Sequence, residues 1–275
     1  MKNVAFGQYY PAKSLLHAMD ARIKVVLSVL YIVAAFLCKT TASFGALFLS
    51  SVLLLALSRI PVKIVLRSLR PLFFIMFFTA VLNLFFTGGT TVLFSVWKIT
   101  VYAEGVQNAI FMLVRIIVLI FATGVFLTYT TTPIALTDAI ESLLSPLRLL
   151  RMPVHEFAMM MSIALRFIPT LSEETEKIMN AQKARGVDFS SGGLVRRVRA
   201  LVPILIPLVV SAFRRADELA TAMECRCYRG GKGRTKMTVP HLRFYDVVAL
   251  FLMIGFGAGI LLLNRVSFLW WGVAV

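Results

Sequence analysis

From Ile23 to Leu57 the chain is apolar almost without pause, interrupted only around Lys39-Thr40-Thr41. A single helix over this run would be ~50 Å long, against a hydrocarbon core of ~30 Å. The run therefore predicts two membrane spans that turn near Lys39. Three more apolar runs follow: Pro71 to about Thr87, about Val106 to Thr128, and about Tyr245 to Asn264. Hydrophobic residues make up 59% of the 275 residues and charged ones only 15%, where a soluble domain carries roughly 25% charged residues. A globule of this size could not hide so much apolar surface from water. The expectation is an all-α polytopic membrane protein with about five transmembrane helices. Between Gly88 and Gly105, Val92, Phe94, Trp97, Ile99, Val101 and Tyr102 suggest a small hairpin or an interfacial segment.

Residues 129–244 differ in kind, with 17 basic and 10 acidic residues and apolar runs too short to span. Phe157 to Leu165 stops at Arg166, and Leu201 to Phe213 is interrupted by Pro203 and Pro207. This block reads as amphipathic helices at or below one membrane face. The net charge is +16, which in a soluble protein would raise nucleic acid as a partner. In a membrane protein it reports orientation, because basic residues collect in cytoplasmic loops. With five spans, residues 1–24 (net +3), the 58–70 loop (net +4) and 129–244 (net +7) share one side. That side is the cytoplasm, so the N-terminus is inside, the C-terminus is outside, and no nucleic acid is needed.

Residues that could carry chemistry are few. The span interiors lack Asp, Glu and His, the groups an ion-driven transporter keeps there. Arg115 is the one ionisable residue deep in a span, at a cost of at least ~2.5 kcal/mol. Two readings stay open for it: an intramembrane network or partner contact, or an Arg that snorkels or bonds backbone carbonyls. His17, His155 and His241 stand alone, without metal-ligand spacing, and Cys225-x-Cys227 lacks a second ligand pair. Cys38, Cys225 and Cys227 give no disulfide framework. Met1 to Asp20 has no apolar core of signal-peptide type. No metal site, no cofactor and no P-loop for ATP is expected in this chain. The run Arg229-Gly-Gly-Lys-Gly-Arg-Thr-Lys236 reads first as a solvated, lipid-adjacent loop, with phosphate binding on its amides as the alternative.

The informative feature is a pair. A polar helix from Leu171 to Arg185 ends in Ala184-Arg185-Gly186, where Gly is the expected stop. Forty-one residues on, the stretch after Pro207 carries Ala212, Ala216 and Ala220 at i+4, a stripe that lets another helix approach closely. It runs to Cys225-Arg226-Cys227. Each helix thus presents one Arg between two small residues, a form that fits a guanidinium into a groove on a partner. For a single such Arg, compensation of the helix macrodipole, worth ~0.3–1 kcal/mol, would suffice. Two of them on one side favour docking.

These residues resemble a known family, the transmembrane T component of energy-coupling factor (ECF) transporters. The resemblance rests on Gly7-Gln-Tyr-Tyr-Pro-Ala-Lys-Ser-Leu-Leu-His-Ala-Met-Asp-Ala-Arg-Ile-Lys24, on Thr132-Pro133, Ser145-Pro146-Leu147 and Leu165-Arg-Phe-Ile-Pro169. It continues in Ala181-Gln-Lys-Ala-Arg-Gly186 and Ala222-Met-Glu-Cys-Arg-Cys-Tyr228, so it runs from about Gly7 to Thr235. The resemblance implies a non-catalytic subunit of a bacterial cell-membrane importer. Its cytoplasmic block would hold coupling helices that dock two ABC-type ATPases, which bind the ATP. Its spans would hold a small, hydrophobic, substrate-binding S component. Docking would fall to Arg185 and Arg226, flanked by Ala184, Gly186, Cys225 and Cys227. One departure stands out, because Cys225 and Cys227 replace the usual Ala and Gly. Gly230-Gly231 is then the expected helix stop.

The implied domains are 1–128 with spans one to four, 129–244 as the coupling block, and 245–275 as the last span and outer tail. The substrate would be a vitamin, its precursor or a transition metal ion, recognised by the S component, with the N-terminal match closer to vitamin-type modules. Two alternatives predict other behaviour. A self-sufficient secondary transporter would work alone, and a lipid-acting enzyme would need clustered acids or His at the cytoplasmic face. Glu173, Glu174 and Glu176 are the only dense acids, and they read as a solvated helix face.

Overall fold

The computed structural model describes residues 9–89, 91–96, 99–150, 152–189, 193–230 and 242–265. It divides into two units, one of Met1–Ala139 with Val239–Val275 and one of Ile140–Thr238. The first begins with α1 (Leu15–Ala18) and α2 (Ala21–Leu37), which Ser14 and Asp20 cap at their N-termini. The chain turns at Cys38–Thr40 and enters α3 (Thr41–Ser58), as the apolar run requires.

The basic cluster that follows is not a loop. Val65 is fully buried on α4 (Val62–Leu69), while Lys63 and Arg67 share that short helix. The apolar residues Val62, Val65, Leu66 and Leu69 recur at i, i+3, i+4 and i+7, so the cluster is one stripe of an amphipathic helix. A single 3₁₀ turn over Arg70–Leu72 then leads into α5 (Phe73–Phe86). Pro71 is tolerated there because it lies where a helix restarts.

An antiparallel hairpin, β1 (Val92–Val96) and β2 (Ile99–Tyr102), leads into α6 (Ala103–Thr123). Trp97 lies outside the described residues. At its end α6 widens into a π-helical turn, Gly124–Thr128, closed by a 2.8 Å bond from the Tyr129 N–H to the Gly124 carbonyl. A Cβ on Gly124 would sit 2.8 Å from the Tyr129 ring, so this turn requires glycine. After α7 (Pro133–Leu143) come the two long helices of the second unit, α8 (Val154–Ala184) and α9 (Leu194–Cys225). The last helix is α10 (Phe244–Arg265).

Among the described residues four helical stretches are long and apolar enough to cross a membrane: Thr41–Ser58, Val62–Phe86, Ala103–Thr128 and Phe244–Arg265. The 17 residues of α2 make a helix of about 25 Å, at the short limit for a span. In this unit α2 packs on α6 and α10, and α3 on the same two helices. Tyr31 is 1% exposed at their centre. Its ring stacks on Phe256 at 6.1 Å, and its hydroxyl donates to the Leu47 carbonyl at 3.0 Å. The outer faces are apolar: Phe74 is 76% and Phe86 83% exposed on α5, as befits a lipid-facing helix.

Polar clips fix α10 to α2 at both ends. At one end Asp246, fully buried, accepts from the backbone N–H groups of Asp20 and Arg243 at 3.2 and 2.9 Å. At the other, the Asn264 side chain donates to the Leu37 carbonyl at 2.7 Å and accepts from the Ser43 hydroxyl at 2.7 Å. Eighteen residues separate the two clips, about 27 Å along a helix, close to a bilayer core.

Candidate functional site

The second unit carries the arginine pair. Both of its helices are longer than the sequence pattern suggested, because α8 runs through Pro169 and α9 through Pro203 and Pro207. A proline removes one N–H···O bond and bends a helix, but a helix of over thirty residues absorbs that loss. By rise per residue they are about 46 and 48 Å long. Much of the first two-thirds of α9 is apolar and exposed, including Val198, Leu205 and Phe213.

Arg185 closes α8 and Arg226 closes α9, with nearly the same backbone: φ −82°, ψ 5° and φ −89°, ψ 12°. The next residue in each case turns left-handed, Gly186 at φ 86° and Cys227 at φ 55°. Identical return bonds then seal the two ends. The Gly186 N–H donates to Lys183 at 3.0 Å and Val187 to Gln182 at 3.1 Å. The Cys227 N–H donates to Glu224 at 2.8 Å and Tyr228 to Met223 at 3.0 Å. This is the Schellman arrangement in both. The stop of α9 is therefore Cys227 itself and not Gly230-Gly231. Gly230 also has positive φ, at 87°, but it follows the completed cap, and Gly231 lies outside the described residues. A side chain in the left-handed region costs roughly 1–2 kcal/mol, so the cap bonds hold Cys227 in a conformation it disfavours.

Ala184, Arg185, Gly186, Cys225, Arg226 and Cys227 are all exposed. Among the described residues neither guanidinium has a hydrogen-bond or ion-pair partner. Two free forks thus stand between small residues, each on a rigid, sealed helix end.

The contact that joins α8 to α9 escaped the sequence reading. Arg215 donates to the Glu174 carboxylate at 2.8 Å, and the Ser211 hydroxyl bonds the same carboxylate. The Ser211 hydroxyl first, and after it the charge and hydrogen bond of Arg215 with the charge of Lys177, hold this carboxyl below its ordinary value, although burial, second only to Ser211, opposes them. Glu174 is thus more than one of several solvated acids. It lies eleven residues before Arg185, and Arg215 lies eleven before Arg226. Each tip is therefore about 16 Å beyond the shared ion pair. The signal was present in the sequence, since Glu174 and Arg215 are separated by the same 41 residues as the two tips. Nothing in helical periodicity says, however, which acid meets which base.

The remaining candidates fall elsewhere. Arg115 donates to the Cys38 carbonyl at 3.1 Å and lies over the Phe36 and Phe44 rings at 5.8 and 5.2 Å. Of the two readings left open for it, the backbone bond is present. His17 and His155 each have hydrogen-bond partners. The His17 ring bonds Ser14 and the Tyr10 carbonyl, and His155 faces Glu141 at 3.1 Å. Both tie local turns together, which spacing in the sequence could not show. His241 and residues 231–236 of the basic run lie outside the described residues. Among the described residues no group of three His, Cys, Asp or Glu could hold a metal ion.

The model of the cobalt transport protein family, CbiQ, matches residues 12–237. Curated relatives similar to the chain carry the name energy-coupling factor transporter transmembrane protein EcfT. One from Ruminiclostridium cellulolyticum is 47% identical, covering 98% of this chain and all of the relative. One from Thermosediminibacter oceani is 49% identical over 90% of this chain and 93% of its own. One from Bacillus subtilis is 47% identical over 86% of this chain and 89% of its own.

Proposed function

The chain belongs to the cobalt transport protein family, CbiQ, and from that premise we propose that it is the energy-coupling subunit of an ECF-type importer. In this reading Arg185 and Arg226 each enter a groove on one of two cytoplasmic ABC ATPases. The ATPases bind and hydrolyse the ATP, and this chain performs no catalysis. When ATP draws the ATPases together, the two tips travel with them. Rigid helices hinged at Glu174 and Arg215 turn that displacement into a change of the angle between α8 and α9. The apolar, exposed stretch of α9 then transmits it to a small hydrophobic S component. The S component carries the micronutrient, a vitamin or a related compound, and releases it inward.

In this reading the membrane unit crosses five times, with α2 as the first span, the N-terminus inside and the C-terminus outside. The charge distribution supports it, since +14 of the +16 falls on the side assigned to the cytoplasm.

The observation that carries the proposal is the matched pair of sealed helix ends, each presenting an unpartnered Arg at the same reach from one ion pair. Purification of the tagged chain with its complex tests it. Two nucleotide-binding subunits and a small hydrophobic protein are expected to come with the wild-type chain. The doubly charge-reversed chain, R185E/R226E, is expected to lose the ATPases while its membrane unit stays folded. Retention of both ATPases by that variant would refute the docking role.

A further inference from the structure

Arg115 faces a cavity that energy coupling leaves unexplained. The cavity has a volume of about 340 Å³ and lies within the membrane unit, where the α2–α3 turn meets α5 and α6. Two cations line it, Lys39 and Arg115, together with the side chains of Asn83 and Asn108, and no carboxylate does. Asn108 and Arg115 are seven residues apart on α6 and so share one helix face.

Charge balance is the difficulty. Arg115 lies twelve residues into α6, about 18 Å from its start, in an apolar stretch where a cation is costly. Its compensation is one backbone carbonyl and two ring faces. Its Nε is buried with no hydrogen-bond partner. Among the described residues no carboxylate pairs with it, and Lys39 brings a second positive charge to the same space. A cation held partly out of water is retained when something pairs with it, and two cations beside the Asn108 amide form a donor set for an anion, the Asn83 amide already donating to the Thr79 carbonyl at 2.9 Å.

We propose that this cavity binds a phosphate group, supplied by the headgroup of an anionic membrane phospholipid. Guanidinium and ammonium together suit a phosphate, the first by its fork and the second as a point charge. Asn108, whose side chain has no hydrogen bond among the described residues, adds a neutral donor. The rest of the lining favours a lipid over a free ion. Phe36 is 61% exposed on the apolar outer surface, so one wall of the cavity continues onto the face that meets acyl chains. The volume lies at the low end of small-ligand sites, enough for a headgroup with its tails left outside.

Native mass spectrometry of the full chain, titrated with phosphatidylglycerol, diacylglycerol or inorganic phosphate, tests this. Saturable binding of phosphatidylglycerol is expected, with none of diacylglycerol. Arg115→Gln should weaken it by about tenfold or more, the worth of a lost charge-assisted bond. Lys39→Gln should weaken it severalfold, and because Lys39 is exposed this variant reports even if the other fails to fold. Binding of inorganic phosphate with the same dependence on both residues would confirm the anion site and make free phosphate its source. Equal lipid binding by the wild-type chain and Lys39→Gln, or binding of diacylglycerol as tight as that of phosphatidylglycerol, would overturn the proposal.

Discussion

The two arginine-tipped ends of α8 and α9 reach one geometry from different residues. One uses Ala184 and Gly186 as flanks and the other Cys225 and Cys227, yet Arg185 and Arg226 share backbone angles and return bonds. At Gly186 the left-handed residue is free of strain, whereas at Cys227 it is held against its preference. Geometry that persists where sequence would relax it is under a constraint other than local propensity. The sealed end and the exposed Arg are what the two share.

Charge reversal at one tip at a time should have the largest effect. Arg185→Glu and Arg226→Glu should each weaken binding of an ATPase by at least ~100-fold, since an unpaired charge buried in a groove costs roughly 3–5 kcal/mol. Titration of each ATPase against each variant gives the values. Equal losses would mark the tips as equivalent, and a loss confined to one would break the symmetry.

A smaller effect separates the two caps. Gly186→Val should cost about 1–2 kcal/mol at the end of α8, because the backbone conformation, not space, excludes a side chain there. Hydrogen exchange at the last turn of α8 should rise, with α9 unchanged. The reverse change, Cys227→Gly, should slow exchange at the end of α9 by removing about 1 kcal/mol of strain, and leave ATPase binding intact. Faster exchange in Cys227→Gly would show that the cysteine is preferred there.

The link between the tips should be sensitive to pH. Glu174 is held below its ordinary value of 4.5, so its contribution is present above that value and is lost as pH falls through the lower, folded one. Relative to intrinsic exchange at each pH, exchange around Glu174 and Arg215 should therefore rise together as pH falls below 4.5. Because the pair is only half-buried, the change should be modest, and Glu174→Gln should remove the pH dependence.

Length and apolarity were enough to place the apolar helices on either side of Lys39, after Pro71 and at Tyr245, because each is an unbroken apolar run. The arginine tips were legible because small-Arg-small is a local pattern at a helix end. Other features depend on partners far apart in the chain. Asp246 is a buried acceptor for the backbone N–H groups of Asp20 and Arg243, a role that needs a partner 226 residues away. The basic 58–70 segment looked like a loop because its charges outweigh the stripe that buries Val65. Pro203 and Pro207 looked like breaks, since propensity does not register how a long helix tolerates a lost bond. Cys227 was overlooked as a stop because left-handed backbone is expected of glycine.

The thiols of the second tip offer the most direct measurement. Cys225 and Cys227 are exposed beside Arg226, and Cys38 is buried in the membrane unit as an internal control. Maleimide labelling of the unaltered chain, alone and in the assembled transporter, reads whether this tip enters a partner. The docking account predicts rapid labelling of both thiols in the free chain, strong protection with the ATPases bound, and no labelling of Cys38 in either. Labelling of Cys225 and Cys227 at the same rate in the intact complex would contradict it.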